Sequence, residues 1–152
     1  MKSYDGSCSM TILIKDFIAE MGLDKSTLTK EERDYIYSDA FADEMNNDVF
    51  NYDYGREYVD GIGLEAIADY FFEKTKIDGQ PAMLVKASGK VKNGMVDMRV
   101  FTINYIIIYK NYMVFVGFMI NSYDENLPEE KKKYELLSQL ISSSLIFTDK
   151  WL

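Results

Sequence analysis

Residues 81–121 read PAMLVKASGKVKNGMVDMRVFTINYIIIYKNYMVFVGFMIN, and this stretch decides the fold. Asn93-Gly94 is the strongest hairpin signal in the chain, because a two-residue type I′ turn needs positive φ at both central positions and Asn followed by Gly tolerates this best. It joins predicted strands at 82–92 and 95–109. Lys110-Asn111 is a weaker turn of the same kind, with Asn able to take the left-handed conformation, and it leads to a strand at 112–121. We therefore expect a three-strand antiparallel meander.

The three strands differ in how their apolar residues are distributed. The first alternates polar and apolar sides, which is typical of a strand with one wet face. The second contains the apolar run 105–109, and in the third only Gly117 interrupts the run from 112 to 120. Strands that are apolar on both sides need cover on both faces. The expected fold is therefore α+β: a central antiparallel sheet, made of the meander at 82–121 plus an N-terminal strand or strands, covered by helices on both faces.

Upstream of the meander the pattern is mixed. Met10, Ile12 and Ile14 recur at every second position, which favours a strand at 9–15 that leads into a short helical piece at 16–21 and ends at Gly22; a helix at 11–21 is the alternative. Thr29 followed by Glu32 is a capping-box pattern and predicts a helix from residue 30, which we extend to residue 45, although residues 35–37 and Phe41 fit a strand as well. Residues 49–59 fit either a strand or an aromatic loop.

Two further helices are expected to cover the sheet. Residues 64–76 place apolar side chains at i, i+3, i+4 and i+7, which predicts an amphipathic helix. Pro128 suits a first helical turn and Glu129-Glu130 suits its positive end, so a helix is predicted at 128–143. Its predicted buried stripe comprises Tyr134, Leu137, Leu140, Ile141 and Ser144. Residues 145–147 are a candidate for a short additional strand.

Composition limits the class of protein. With 152 residues and 47% apolar residues, a single domain at 1–152 with one core is expected, with 1–7 and 148–152 frayed. The formal net charge of -8 opposes binding to nucleic acid. The sequence contains no apolar stretch long enough for a transmembrane segment and no leader-like N-terminus. We therefore expect a cytoplasmic protein, or a mature chain whose leader has been removed.

The residues that could carry chemistry form no strong motif. The chain has no histidine and one cysteine, Cys8, which removes His-based general bases, most zinc sites and any intramolecular disulfide. Residues 61–66 match a dinucleotide fingerprint, but an antiparallel meander follows instead of a βαβ unit. The acidic side chains between 39 and 60 lack EF-hand spacing, and Ser142-Ser143-Ser144 lacks the glycines of a nucleophile elbow. No catalytic, cofactor or metal residue is assigned, and no cofactor is expected.

The second half of the chain resembles the PsbP-like fold family. The features that carry the resemblance are Asp78-Gly79-Gln80-Pro81-Ala82 entering a strand, the apolar strands through 105–120, the helix from Pro128, the ending at 141–147 and the predicted helix at 64–76. They span roughly 64–147, a pattern-level likeness. The resemblance implies a central antiparallel sheet between helical layers and a non-catalytic role in binding or assembly.

The expected function is that of a non-enzymatic domain that binds a protein partner or assists assembly. The alternative is a small-molecule-binding or metal-binding domain, or a hydrolase without a recognisable motif. Tyr and Arg are enriched at interface centres because they bury a large area while keeping a polar group available. The candidate partner-binding residues therefore come from one aromatic segment: Phe50, Tyr52, Tyr54, Arg56 and Tyr58. The competing interpretation is an ordinary strand with one side in the core.

Overall fold

The structure is a computed structural model that describes residues 7–20, 22–93, 96–122 and 127–147. Five strands form one sheet in the order β1-β5-β4-β3-β2, and every neighbouring pair is antiparallel. The strands are β1 (Ser7–Asp16), β2 (Glu65–Ile77), β3 (Gln80–Asn93), β4 (Val96–Tyr109) and β5 (Tyr112–Ser122). The helices are α1 (Phe17–Glu20), α2 (Lys30–Ile36), α3 (Asp39–Asp48), α4 (Tyr52–Gly61) and α5 (Leu127–Ser143), with a 3-10 turn at Lys25–Thr27. The α+β class is confirmed.

The predicted meander is confirmed as β3, β4 and β5. Tyr109 pairs with Tyr112 across the second turn, where Lys110 rather than Asn111 takes the left-handed conformation, with φ of 53°. Asn111 is instead fully buried, and its side-chain amide donates to Asp16 at 3.1 Å. At the first turn Asn93 pairs with Val96; Gly94 lies outside the described residues, as do 1–6 and 148–152, which were expected to be frayed.

The N-terminal strand is also confirmed. β1 pairs along its whole length with β5, from Ser7 opposite Asn121 to Asp16 opposite Tyr112, so the alternative helix at 11–21 is wrong. Asp16 accepts from the backbone N–H of Ile18 at 3.1 Å, which turns the chain into α1. Gly22 follows that helix with φ of 71°, as expected of a residue that ends a helix.

The helix predicted from residue 30 is interrupted. Thr29 and Glu32 make both bonds of the capping box, but α2 ends at Ile36 and Ser38 caps a new helix, α3, by accepting from the N–H of Phe41. Another capping side chain, Asn51, accepts from the N–H of Tyr54 at 2.8 Å. This cap makes residues 52–61 the helix α4, and both expectations for 49–59, a strand or an aromatic loop, are wrong.

The prediction of a helix at 64–76 is wrong, because this segment is the edge strand β2. It pairs with β3 from Glu65 opposite Lys90 to Ile77 opposite Gln80, with two register irregularities at its start. Ala66 and Asp69 have positive φ at these irregularities. From Tyr70 onward the aromatic and β-branched side chains fit a pleated surface, and the available partner strand overrides the helical spacing.

Two clusters of buried side chains occupy alternate positions of β4. Ile106 and Ile108 belong to the cluster that includes Met45, Phe50 and Val59 from the α3–α4 region. The other cluster has Tyr134 and Ile141 of α5 packed against it, and its members from β4 and β5 are Phe101, Ile103, Tyr105, Ile107, Val114, Val116, Phe118 and Ile120. Alternate residues of a strand point to opposite faces, so the two clusters lie on opposite faces of the sheet.

The C-terminal helix is confirmed, but its predicted buried stripe is partly wrong. Tyr134 and Ile141 pack on the sheet, whereas Leu137 and Leu140 are 43% and 68% exposed. Ser138 and Ser142 take the buried positions instead, and each hydroxyl donates to a backbone carbonyl one turn earlier, at 2.9 and 3.1 Å. These bonds let small polar side chains lie against the sheet. Residues 145–147 are not a strand.

Candidate functional site

The five residues predicted to bind a partner are separated by α4 into three environments. Phe50 precedes the helix and is fully buried. Tyr52 and Arg56 lie on the outer side, where Tyr52 is 57% exposed. Tyr54 and Tyr58 are half-buried and face the sheet. The structure therefore does not bring the five residues together as one surface.

The outer residues contact the neighbouring strand β2. The hydroxyl of Tyr70 donates to the carbonyl of Tyr52 at 2.9 Å, the two rings meet edge to face at 4.8 Å, and the Arg56 guanidinium lies 5.6 Å from the Tyr70 ring centre. Arg56 also pairs with Asp60 at 3.4 Å. Burial and the nearby Tyr52 raise the pKa of Tyr70 to about 12, against the opposing effect of Arg56. This group holds α4 on the sheet.

A glycine sets how closely α4 approaches the sheet. Gly55 is buried on the inner side of the helix, and a Cβ placed there would lie 2.6 Å from the Tyr70 hydroxyl, 3.1 Å from Phe72 and 3.2 Å from Val85. Only glycine allows this approach without displacing β2 or β3 side chains. Because Gly55 is flanked along the inner side by Tyr54 and Tyr58, its contact sets the height of both rings over the sheet.

Those two tyrosines line a cavity of about 470 Å³ between α4 and the strands β1, β5 and β4. This volume is in the range of small-molecule sites, which are mostly apolar with a few placed polar groups. The Tyr58 ring stacks on Phe115 of β5 with ring centres 5.7 Å apart. The cavity is lined by Ser9, Thr11, Leu13, Lys15, Tyr54, Tyr58, Ile62, Thr102, Asn104, Phe115, Gly117 and Met119, and by Phe118, whose side chain belongs to the cluster on the opposite face.

The strand register explains why space is left over the sheet. Gly117 of β5 lies opposite Thr11 on one side and Asn104 on the other, and paired residues present their side chains on the same face. Gly117 supplies no side chain to that row, so a gap opens between β1 and β4. A Cβ at Gly117 would lie 2.9 Å from the Asn104 Oδ1, which shows that the Asn104 side chain leans across this gap.

The floor of the cavity carries two buried polar side chains. Asn104 is 4% exposed and Thr102 is 1% exposed. The Tyr58 hydroxyl donates to the Asn104 Oδ1 at 3.3 Å, but the Asn104 Nδ2 and the Thr102 Oγ1 have no hydrogen-bond partner among the described residues. A buried polar atom without a partner costs about 1–3 kcal/mol. Because both residues line the cavity, an unpaired amide donor and an unpaired hydroxyl lie next to whatever occupies it.

The described lining of the cavity carries little charge. Among the described residues its lining includes no carboxylate and one charged side chain, Lys15, which pairs with Glu20 at 3.3 Å. Burial raises the pKa of Tyr54, with Glu20 and Glu57 adding to the effect, and burial also raises the pKa of Tyr58, with Tyr54 adding to it. Both phenols are therefore neutral hydrogen-bonding groups at neutral pH.

The remaining candidate chemistry finds no site in the described part of the chain. Within those residues, no group of three acidic or thiol side chains is placed to hold a metal ion. The glycine motif at 61–66 runs from the end of α4 into β2, with Gly63 at φ of 84°, so it does not open a helix toward a phosphate. Burial raises the pKa of the Cys8 thiol, which lowers its thiolate fraction. No described helix is long and apolar enough to span a membrane.

Sequence reasoning found Tyr54 and Tyr58 but missed the floor beneath them. Thr102 and Asn104 are two polar residues on one side of a strand that is recognised by its apolar run, and Gly117 is the residue that interrupts the apolar run of the next strand. Two polar side chains with the same parity, next to a glycine in a buried strand, were the available signal. Placing them under Tyr58 required the register and the position of α4.

Comparison with known proteins gives one partial similarity. The chain is similar to the voltage-dependent L-type calcium channel subunit alpha-1S of Rattus norvegicus and of Mus musculus, with 32% identity over 125 residues in each. The alignments cover 74% of this chain, and the chain spans about 7% of the length of the channel subunits it matches. No protein-family model matches the chain. No solved structure matches it.

Proposed function

We propose that this protein is a non-enzymatic binding domain that holds a small molecule in the cavity between α4 and the strands β1, β5 and β4. The observation that carries the proposal is the pair of buried polar groups, Asn104 Nδ2 and Thr102 Oγ1, which belong to residues lining the cavity and have no partner among the described residues. Polar atoms placed at the bottom of an apolar cavity are the usual means of orienting a ligand.

A binding role fits the lining better than a catalytic one. The groups available are hydroxyls, an amide and a lysine that pairs with Glu20. General-base catalysis works best with a group whose pKa lies near the working pH, and the pKa values of Tyr54 and Tyr58 are raised from an already alkaline value. The lining is thus suited to positioning a ligand by shape and hydrogen bonds.

Ligand-observed NMR with a library of small neutral fragments tests this proposal. Fragments should bind the wild-type protein and should fail to bind Gly117→Leu, because the new side chain enters the gap between Thr11 and Asn104. Gly61→Leu is the matched control, since nothing lies within 4 Å of a Cβ at Gly61. Gly117→Ala, a smaller change, replaces Gly117→Leu if the latter does not fold. Absence of fragment binding by the wild type, or equal binding by all variants, would reject the cavity as the site.

A second candidate function, binding of a protein partner, is favoured by a different surface. Met10, Ile12 and Ile14 of β1 are 49%, 51% and 62% exposed, and they lie opposite β5 residues of the cluster that packs against α5. Leu137 and Leu140 of α5 are also exposed. We call these five residues the β1–α5 apolar surface. β1 is an edge strand, and its outer edge, which pairs with no other described strand, is suited to strand addition.

The protein-partner proposal has its own test. Ile12→Lys together with Ile14→Lys should leave the fold intact, because both side chains are exposed, and should remove binding of a partner recovered by affinity capture. The matched control is Asp53→Ala with Glu57→Ala, at two exposed positions of α4. If the control loses the partner and the lysine variant keeps it, the outer side of α4 is the binding surface instead.

We also infer that helices cover both faces of the sheet and that the chain has a PsbP-like fold. The contributions of α3 and α4 to one cluster and of α5 to the other support the first statement. The meander followed by a helix at 127–143 supports the second. The segment 64–76 departs from the pattern by being a strand. A solved crystal structure compared with PsbP-like proteins would test both statements.

A further inference from the structure

We infer, on the basis of the proposed function, that the cavity takes an uncharged, mainly apolar molecule that carries a carbonyl group as its hydrogen-bond acceptor. The carbonyl lies on the floor against the Asn104 amide, and the apolar body lies between α4 and β1. The class of ligand follows from three features of the cavity: the polarity of its floor, its lack of free charge and the shape left by Gly117.

The floor of the cavity is suited to a ligand that carries a hydrogen-bond acceptor. A side-chain amide nitrogen can only donate, and the Asn104 Nδ2 has no partner among the described residues, while the Oδ1 of the same side chain already accepts from Tyr58 at 3.3 Å. The neighbouring Thr102 hydroxyl can donate or accept, and it too has no described partner. With the Asn104 amide turned toward the cavity, a ligand carbonyl satisfies the donor, and a ligand N–H beside that carbonyl finds an acceptor in Thr102.

The charge around the floor argues against an ionised ligand. Burying an ion without a partner costs more than burying a neutral polar group. Neither Asn104 nor Thr102 carries a charge, and the one cation among the described lining residues, Lys15, is paired with Glu20 at 3.3 Å and lies 5.9 Å from the centre of the Phe115 ring. In the part of the lining that the structure describes, a carboxylate on the floor would face no unpaired cation and an ammonium group would face no carboxylate.

The shape of the cavity admits a flat ring. Gly117 leaves the floor open next to Asn104, and the stacked pair of Tyr58 and Phe115, with planes 17° apart, forms one wall. An aromatic body laid against these rings gains offset stacking in addition to apolar burial. The carbonyl at one end of such a ring then reaches the Asn104 amide across the gap.

Three probes of nearly equal shape separate these features: naphthalene-2-carboxamide, naphthalene and 2-naphthoate. Binding to the full chain is followed by isothermal titration or by competition in ligand-observed NMR. We expect the carboxamide to bind about tenfold or more tightly than either of the others, because a site that hydrogen-bonds a polar group discriminates against analogues that lack it. Asn104→Leu should reduce the carboxamide to the affinity of naphthalene and leave naphthalene unchanged.

Asn47→Leu, at an exposed position of α3, is the matched control and should keep the preference. If Asn104→Leu does not fold, Thr102→Val takes its place with a smaller loss expected. Equal binding of all three probes would overturn carbonyl selection while leaving the cavity as a binding site. If 2-naphthoate binds most tightly, carbonyl selection is overturned in favour of an anionic ligand that pairs with Lys15. Binding of none of the probes, with fragments of other shapes still bound, would overturn the ligand class; no binding of any fragment would overturn the site itself.

Discussion

Replacing Gly55 by alanine sets two known effects against each other. In a helix interior alanine is favoured over glycine by about 1 kcal/mol. At Gly55, however, the new methyl group would meet the Tyr70 hydroxyl at 2.6 Å and the Phe72 and Val85 side chains at 3.1 and 3.2 Å. Extra methyl groups in a well-packed contact cost about 1–3 kcal/mol.

The Tyr70 hydroxyl, which the new methyl group would displace, also makes a hydrogen bond. The Tyr70 hydroxyl donates to the carbonyl of Tyr52 at 2.9 Å, and a typical hydrogen bond contributes about 1 kcal/mol. Moving Tyr70 away from the methyl group weakens this bond. Taking the propensity gain, the overpacking and the weakened bond together, we expect Gly55→Ala to lower the free energy of unfolding by about 1–2 kcal/mol.

The same helix supplies the control. At Gly61, the last residue of α4, a new methyl group would have nothing within 4 Å of it, so Gly61→Ala should raise the free energy of unfolding by up to about 1 kcal/mol. Both variants are measured by urea denaturation followed by circular dichroism. Equal stability of the two variants, or stabilisation by Gly55→Ala, would refute the close approach of α4 to the sheet and with it the position of Tyr54 and Tyr58.

Three further predictions concern the sheet and two titrating side chains. Ile107→Asp should unfold the domain, because Ile107 is fully buried and an unpaired carboxylate there costs several kcal/mol; a cooperative thermal transition like that of the wild type would contradict its placement. Burial raises the pKa of Asp16, but hydrogen bonds from Lys25, Asn111 and the backbone of Ala19 outweigh it and hold the net pKa below its usual range. Its contribution to stability is therefore present above the unfolded pKa and lost as pH falls through the folded one, so urea midpoints measured below about pH 4 should fall less steeply for Asp16→Asn than for the wild type. The raised pKa of Tyr70, about 12, means that stability is lost as pH rises from about 10 toward 12, and Tyr70→Phe should show a smaller loss in denaturant titrations over that range.

The meander could be predicted because its signals are local. Turn residues at 93–94 and 110–111 and the apolar runs between them act over a few positions, and the observed strands begin and end within two residues of those expected. The capping pair of Thr29 and Glu32 is equally local, and it formed as predicted. Such signals do not depend on what packs against them.

The failures share a physical cause in tertiary context. The spacing at 64–76 fits a helix, but β3 offers a free edge whose hydrogen bonds β2 takes. The aromatic alternation at 50–58 suggested a strand or loop, whereas Asn51 caps a helix in which alternate residues fall on different sides. Only part of the candidate site could be predicted, for the same reason. Tyr54 and Tyr58 were identified because aromatic residues are common in binding sites, but the polar floor at Asn104 and the gap at Gly117 depend on strand register.

The pairing of the first strand with the last has a consequence for how the binding site comes into existence. β2 to β5 are joined by short connections, whereas β1 meets β5 only by closing a loop on the order of 100 residues. Such non-local pairing is slow compared with hairpin formation. During synthesis β1 also cannot pair before β5 has left the ribosome. Because Ser9, Thr11 and Leu13 of β1 form one wall of the cavity, the cavity is completed at this last step. A ligand that binds there stabilises the docked arrangement of β1 by mass action, and it disfavours exchange of β1 between two newly made chains.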